Sequence, residues 1–324
     1  MVESVLPNLY RIEIPLPDSP LKSINSYVII AAERNLIVDT GFNREECLAA
    51  MEAGLDELKI DLEKTDLYIT HLHADHFGLV SELVRDGCNV FFNRPDAEII
   101  WAWDGFELFV QYAVKNGCPE EEFREAIENH PATKYDAKRI PEMNILKDGD
   151  TIEIGNFRFE CITTPGHTRG HMCLHEPQKK IFISGDHILG DITPNIQCWS
   201  DELNPLEDYL ASLDKVYDLN VDLVLPGHRR LFTNFKERID ELKSHHQTRA
   251  EEALSVLRQG PKTAYQIAPG MTWDIACDSF EQFPVMQKWF ATGETIAHLR
   301  YLEERGKISR KAEENVFMYS LSGS

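Results

Sequence analysis

Short apolar runs and period-two alternation dominate the first part of the chain. Residues 5–15 and 26–39 read as strands, and 44–58 carries its apolar positions at helical spacing. Residues 76–87 predict a helix, and 89–93 predict a strand. A strongly apolar helix is expected over 96–116, containing Ile99, Ile100, Trp101, Trp103, Phe106, Phe109, Val110 and Tyr112. The Glu-rich stretch 119–129 predicts a second helix, opened by a proline in its first turn. A polar loop, 130–141, leads back to strands near 145–146 and over 151–162. From residue 234 the pattern becomes helical. The stretch 234–259 is long and charged, with Ile239, Leu242, Ala250, Leu254 and Leu257 on one side, and Gly260-Pro261 stops it. A short helix near 263–268, a loop to 283 and a helix over 285–305 follow. Residues 307–309 and 314–319 then suit a small hairpin. This organisation predicts two domains, 1–235 with an insertion at about 95–140, and 236–324.

Ligand-type side chains fall where apolar runs end. After Leu67-Tyr68-Ile69-Thr70 comes HLHADH, which sets His71, His73, Asp75 and His76 within six residues. That density of imidazole and carboxylate suits a borderline-soft cation. In an extended segment His71 and His73 point the same way and can share one metal, while Asp75 and His76 lie past the bend. Three further strand-like runs each deliver one such residue. His167 follows 157–162 in Thr-Pro-Gly-His-Thr, Asp186 follows Ile181-Phe182-Ile183-Ser184-Gly185, and His228 follows Leu223-Val224-Leu225-Pro226-Gly227. Glycine beside a ligand lets the backbone approach a metal closely. The remaining histidines have no such place. His130, His175, His245, His246 and His298 read as surface or structural residues. His171 and His187 lie nearest the ligands in sequence and suit an outer or substrate-facing role.

HLHADH, then Gly166-His167-Thr168, Gly185-Asp186 and Pro226-Gly227-His228 resemble the metallo-β-lactamase superfamily. The strand end Leu36-Ile37-Val38-Asp39-Thr40-Gly41 resembles the family's early Asp-Thr-Gly block. All five blocks stand in order between about residues 7 and 233. The resemblance implies an α/β fold, a four-layer αββα sandwich with a two-metal site at one edge. Carried across by motif, His71, His73 and His167 hold the first metal. Asp75, His76 and His228 hold the second, and Asp186 bridges both. Zinc is the expected pair of ions, with iron or manganese as alternatives. The chemistry implied is attack by a metal-bridging hydroxide, with Asp75 orienting it and moving its proton. Asp39 reads as an outer residue that orients a ligand imidazole, or equally as a turn-forming Asp before Thr-Gly. The C-terminal helices and hairpin resemble a winged-helix-like module. That layout is similar to the branch containing β-lactamase-like protein 2, with glyoxalase II as a related hydrolase.

Composition narrows the function. The net charge is −21, and nearly all of it lies before residue 236, since the remainder carries 12 Lys and Arg against 13 Asp and Glu. An acidic catalytic domain repels phosphate backbones, which argues against tight nucleic-acid binding. Seven cysteines without a CxxC pair, and no secretory or membrane-spanning pattern, suit a cytoplasmic protein. The expected substrate is therefore a small acyl ester or thioester. The alternative is a single-strand-specific endoribonuclease using the C-terminal module as its platform. The aromatic insertion suits either an acyl pocket or packing, onto the sandwich or within a homodimer.

Overall fold

A computed structural model describes residues 1–323. Its first sheet runs, in spatial order, β1 (Val2–Leu6), β2 (Leu9–Pro15), β3 (Ser23–Ile29), β4 (Asn35–Val38), β5 (Thr65–Tyr68), β6 (Val90–Asn93) and β7 (Asn144–Leu146). The strands pair antiparallel from β1 to β4 and parallel from β4 to β7. A second sheet holds β8 (Thr151–Ile154), β9 (Phe157–Thr163), β10 (Met172–Glu176), β11 (Ile181–Gly185) and β12 (Leu223–Pro226). Only its β11–β12 pair is parallel. A separate hairpin joins β13 (Ile308–Glu313) to β14 (Val316–Leu321). The helices are α1 (Glu45–Leu58), α2 (Ala74–Phe77), α3 (Val80–Leu83), α4 (Arg94–Trp101), α5 (Glu107–Lys115), α6 (Glu120–Glu128), α7 (Pro131–Lys134), α8 (Pro205–Val216), α9 (Phe235–Leu257), α10 (Ala264–Ile267) and α11 (Val285–Glu304).

Alternation along β4 and β5 decides the layering. Leu36, Val38 and Tyr68 point into a cluster with Phe159, Cys161, Leu174, Ile183 and Leu225 of the second sheet. Ile37, Leu67 and Ile69 point the other way, onto Met51 and Leu55 of α1 and Phe77 and Val80 of α2 and α3. On the outer face of the second sheet, Phe182 lies 5.3 Å, ring to ring, from Phe235 at the start of α9. The result is the helix–sheet–sheet–helix order expected from the sequence.

Several elements are shorter than their patterns suggest. The strand expected over 5–15 is two, because Asn8 takes a left-handed φ of 67° and turns β1 back on β2. The strand expected over 26–39 divides likewise into β3 and β4, and the helix over 76–87 into α2 and α3. The helix expected over 96–116 also breaks, into α4 and α5, with Gly105 at φ 105° between them. Helix α8 and strand β10 had no clear sequence signal.

The chain forms two compact units that interleave. One takes residues 1–103, 131–194 and 216–238, and the other takes 104–130, 195–215 and 239 onward. The sequence suggests a single division after residue 235. The segments 104–130 and 195–215 instead group with the C-terminal helices because their aromatic partners are there. Trp289 of α11 stands 5.0 Å from Phe123 of α6 and 4.4 Å from Trp199, ring to ring. The expected aromatic stripe is thereby divided. Phe106 joins Trp289 in the second unit, whereas Trp101 and Trp103 belong to the first and are 53% and 46% exposed. The long, short and long helices and the hairpin expected after residue 234 are present as α9, α10, α11 and β13–β14. All seven cysteines are free, and among the described residues no helix is long and apolar enough to cross a membrane.

Phe159 is wholly buried between the two sheets. Phe159→Ala is expected to cost about 3–5 kcal/mol of stability, read as a lower denaturation midpoint of the first unit. An unchanged midpoint would show that the inter-sheet cluster does not hold the sandwich together.

Candidate metal centre

The ligand-type residues converge because their strands end side by side. β4, β5, β11 and β12 are followed directly by Asp39, by Ile69-Thr70-His71, by Asp186 and by Gly227-His228. Backbone hydrogen bonds continue past the strands and fix these ends. Gly227 N–H donates to Gly185 O at 2.8 Å, Met172 N–H to Thr70 O at 3.0 Å, and Asn25 N–H to Gly227 O at 2.7 Å. His73 then stands at the position before α2, which carries Asp75 and His76 inward. Gly227 is required by space. A Cβ there would lie 2.6 Å from Asp186 Oδ1 and 2.9 Å from His76 Cε1.

Three overlapping trios of donor atoms result. They are His71–His73–His167, His71–His76–Asp186 and Asp75–His76–His228, with the atoms of each trio within 4.8 Å of one another. In the first, His73 Nδ1 is 3.0 Å from both His71 Nε2 and His167 Nε2. In the last, His228 Nε2 is 3.4 Å from Asp75 Oδ2. Asp186 lies between them, with Oδ2 3.6 Å from His167 Nε2 and 3.5 Å from His228 Nε2, and Oδ1 3.5 Å from His76 Nε2. Ligands around a tetrahedral ion at about 2.1 Å stand roughly 3.4 Å apart, which these spacings match.

The outward nitrogens have partners that set the tautomers. His76 Nδ1–H donates to Asp39 Oδ2 at 2.7 Å, and His228 Nδ1–H to Ser23 O at 2.7 Å. His71 Nδ1–H donates to Thr70 Oγ1 at 3.0 Å, and that hydroxyl donates in turn to Asp39 Oδ2 at 2.9 Å. Asp39 Oδ1 also accepts from Thr70 N–H at 2.8 Å. Each arrangement leaves an Nε2 lone pair facing the centre. His76 Nε2, His228 Nε2 and Asp186 Oδ1 are buried there without a hydrogen-bond partner. Buried polar atoms are seldom left so, and a divalent cation among them satisfies all three.

The electrostatics point the same way. Burial, and then the neighbouring imidazoles, hold His71 well below its usual range and His73 down to about 3, so both are neutral and ready to bind. Burial also disfavours the charged forms of His76 and His228. The carboxylates overcome it, Asp39 foremost at His76 and Asp186 foremost at His228, and raise both, His228 to about 10. Burial would raise Asp75, but His76 and His228 lower it to about 2. The site draws positive charge to where the Nε2 atoms meet the carboxylates.

Of the two histidines suited to an outer role, His171 has one. It is fully buried, its Nε2 accepts the Asp186 N–H at 3.1 Å, and its Nδ1 meets Thr164 Oγ1 at 2.8 Å. His187 is buried 6.1 Å from His171, ring to ring. In the second unit His245, His246 and Glu294 also gather. Arg249 stands 3.9 Å from that Glu294 carboxylate and already supplies its positive charge.

Residues 20–228 match the profile of the Metallo-beta-lactamase superfamily. Residues 250–321 match that of the Metallo-beta-lactamase-like, C-terminal domain. The chain is 27% identical over 236 residues to the acyl-coenzyme A thioesterase MBLAC2 of Homo sapiens, covering 70% of this chain and 79% of that protein. It is 25% identical over 240 residues to a beta-lactamase-like protein 2 homolog of Caenorhabditis elegans, covering 74% of this chain and 67% of that one. The crystal structure of a metallo-beta-lactamase family protein from Thermus thermophilus aligns with a TM-score of 0.82 at 28% identity, over 98% of this chain and 100% of that one.

The purified chain is expected to hold close to two transition-metal ions. His71→Ala should remove one, and Asp186→Ala should weaken both, because its carboxylate reaches both clusters. Elemental analysis after reconstitution checks this, and a wild-type chain that takes up no metal refutes it.

Proposed function

The chain belongs to the metallo-beta-lactamase superfamily of metal-dependent hydrolases, and we propose that it hydrolyses the thioester or ester of a small acyl substrate. The single observation that carries the hydrolytic reading is the Asp186 carboxylate lying between two histidine clusters, with its own Oδ1 and the inward His76 Nε2 and His228 Nε2 buried without a hydrogen-bond partner. His71, His73 and His167 would hold one ion, Asp75, His76 and His228 a second, and Asp186 both. The imidazole-rich donor set suits zinc, and iron or manganese accept the same ligands. When bound, such a pair of ions supplies an acidified water and a Lewis acid for the carbonyl oxygen.

The protein's own groups do the rest. Asp75 is ionised at neutral pH and its carboxylate borders the His228 side of the cluster. It is placed to accept the proton of the attacking water and return it to the leaving sulfur or oxygen. Water adds to the acyl carbon, the carbon–sulfur bond breaks, and an acid and a thiol leave. Asp39 and Ser23 O keep His76 and His228 in the required tautomers. His171 holds the backbone of Asp186 in place.

Charge favours an acyl substrate over RNA. The C-terminal arginines are held in ion pairs with acidic neighbours. Arg300 pairs with Glu303 and Glu304, Arg305 with Glu207, and Arg310 with Asp201 and Glu303. The thioesterase activity named for the human relative points to an acyl thioester.

Asp75→Asn is expected to lower turnover of an acyl-thioester by roughly 10²-fold or more while most of the fold is kept. Near-normal turnover at full metal loading would remove Asp75 from the proton path. A panel of acyl-CoA thioesters, simple esters and short RNA tests the substrate class. Faster cleavage of RNA, falling steeply with salt, would overturn the acyl reading.

A further inference from the structure

Asp96 lies in the first turn of α4, is fully buried, and belongs to none of the ligand motifs. From the sequence it is only the start of an apolar helix. Its carboxylate joins the two loops that carry the first trio. Oδ2 accepts from Leu72 N–H at 3.0 Å and from the Thr168 hydroxyl at 2.8 Å. Oδ1 accepts from Gly170 N–H at 2.7 Å. Leu72 lies between His71 and His73, and Thr168 directly follows His167. One side chain therefore grips the chain beside all three histidines of that cluster.

A second observation is independent of these bonds. Gly170 has no room for a side chain. A Cβ there would lie 1.6 Å from Asn93 Oδ1 and 2.7 Å from Asp96 N. Asn93 is itself the cap of α4, with its Oδ1 accepting the Asp96 N–H at 2.9 Å. The His167 loop is thus pressed against the N-terminus of α4 at the point where Asp96 is anchored. The helix start serves as a jig, with the carboxylate as its clamp.

We propose that Asp96 is the positioning residue of the His71–His73–His167 cluster, as Asp39 is for His76. The inference rests on the two-cluster metal reading and adds a division of labour to it. Asp39 bonds the His76 imidazole directly, whereas Asp96 acts through two backbone N–H groups and the Thr168 hydroxyl of the loops that carry His71, His73 and His167. Asp39 also reaches His71 through the Thr70 hydroxyl, but of the two only Asp96 holds the chain beside all three histidines of the first cluster. All three donors approach Asp96 as N–H or O–H, so both carboxylate oxygens must accept. Asp96→Asn keeps the shape and turns one acceptor into a donor that faces a donor.

The test follows metal release rather than activity. Wild type and Asp96→Asn are loaded with zinc and titrated with a chelator, then repeated with cobalt(II), whose visible spectrum reports ligand geometry. In Asp96→Asn one of the two equivalents should be released about 10–100-fold more readily, with an altered cobalt spectrum, while the other is unchanged. In a His228→Ala background, where the first cluster is the seat of binding, Asp96→Asn should weaken the remaining equivalent. Thr168→Val removes one donor of three and should move the same equivalent by a smaller factor. Gly170→Ala, whose Cβ pushes the loop away from Asn93 and the Asp96 backbone while the Asp96 carboxylate itself is kept, should move it as well. If wild type binds two ions and Asp96→Asn releases both as wild type does, or both equally more readily, the positioning role is overturned and the metal reading stands. A wild-type chain that binds no ion overturns both.

Discussion

An imidazole has two nitrogens, and only one of them can face the centre of a cluster. The other must find a partner inside the fold, or the ring turns over and its lone pair is lost to the site. Much of the architecture at this sheet edge answers that constraint. Asp39 stands at the end of β4, in a left-handed conformation with φ 59°, where it meets both His76 and Thr70. β3 brings the Ser23 carbonyl to His228, and its Asn25 side chain holds the carbonyls of Pro226 and Arg229 on either side of that histidine. Strands far apart in sequence are thus held in register by the needs of a few ring nitrogens.

The clustered histidines and aspartates were legible because each is local to its strand end. An apolar run followed by glycine and one histidine or aspartate survives as a short pattern, and HLHADH is denser than chance arrangement explains. Asp39 was half legible, since a turn before Thr-Gly accounts for it equally well until His76 is seen beside it. Asp96 was not legible at all. Its partners, Leu72, Thr168 and Gly170, lie up to 74 positions away, and a carboxylate near a helix start is ordinary chemistry. The same holds for His171, whose contact with the Asp186 backbone exists only once β10 and β11 pair.

Periodicity misled where tertiary structure interrupts it. The apolar pattern over 96–116 is continuous in composition, yet its two halves serve different cores. Trp101 and Trp103 are more exposed than their neighbours suggest, while Phe106 and Phe109 have aromatic partners in the second unit. Charge misled less. The excess of acidic groups and the mixed signs near the C-terminus predicted a solvated surface, and the arginines there are found in ion pairs.

The interleaving of the two compact units bears on how the chain is made. Phe123 waits for Trp289, which leaves the ribosome on the order of ten seconds later at ordinary rates of synthesis. Until then the apolar faces of Ala113, Phe123 and Ala126 lack the ring that completes their cluster. The ligand-bearing strands, by contrast, are complete once His228 has emerged. The order of synthesis thus allows the sandwich to close around its histidine and aspartate cluster while the second unit still lacks α11, its last helix.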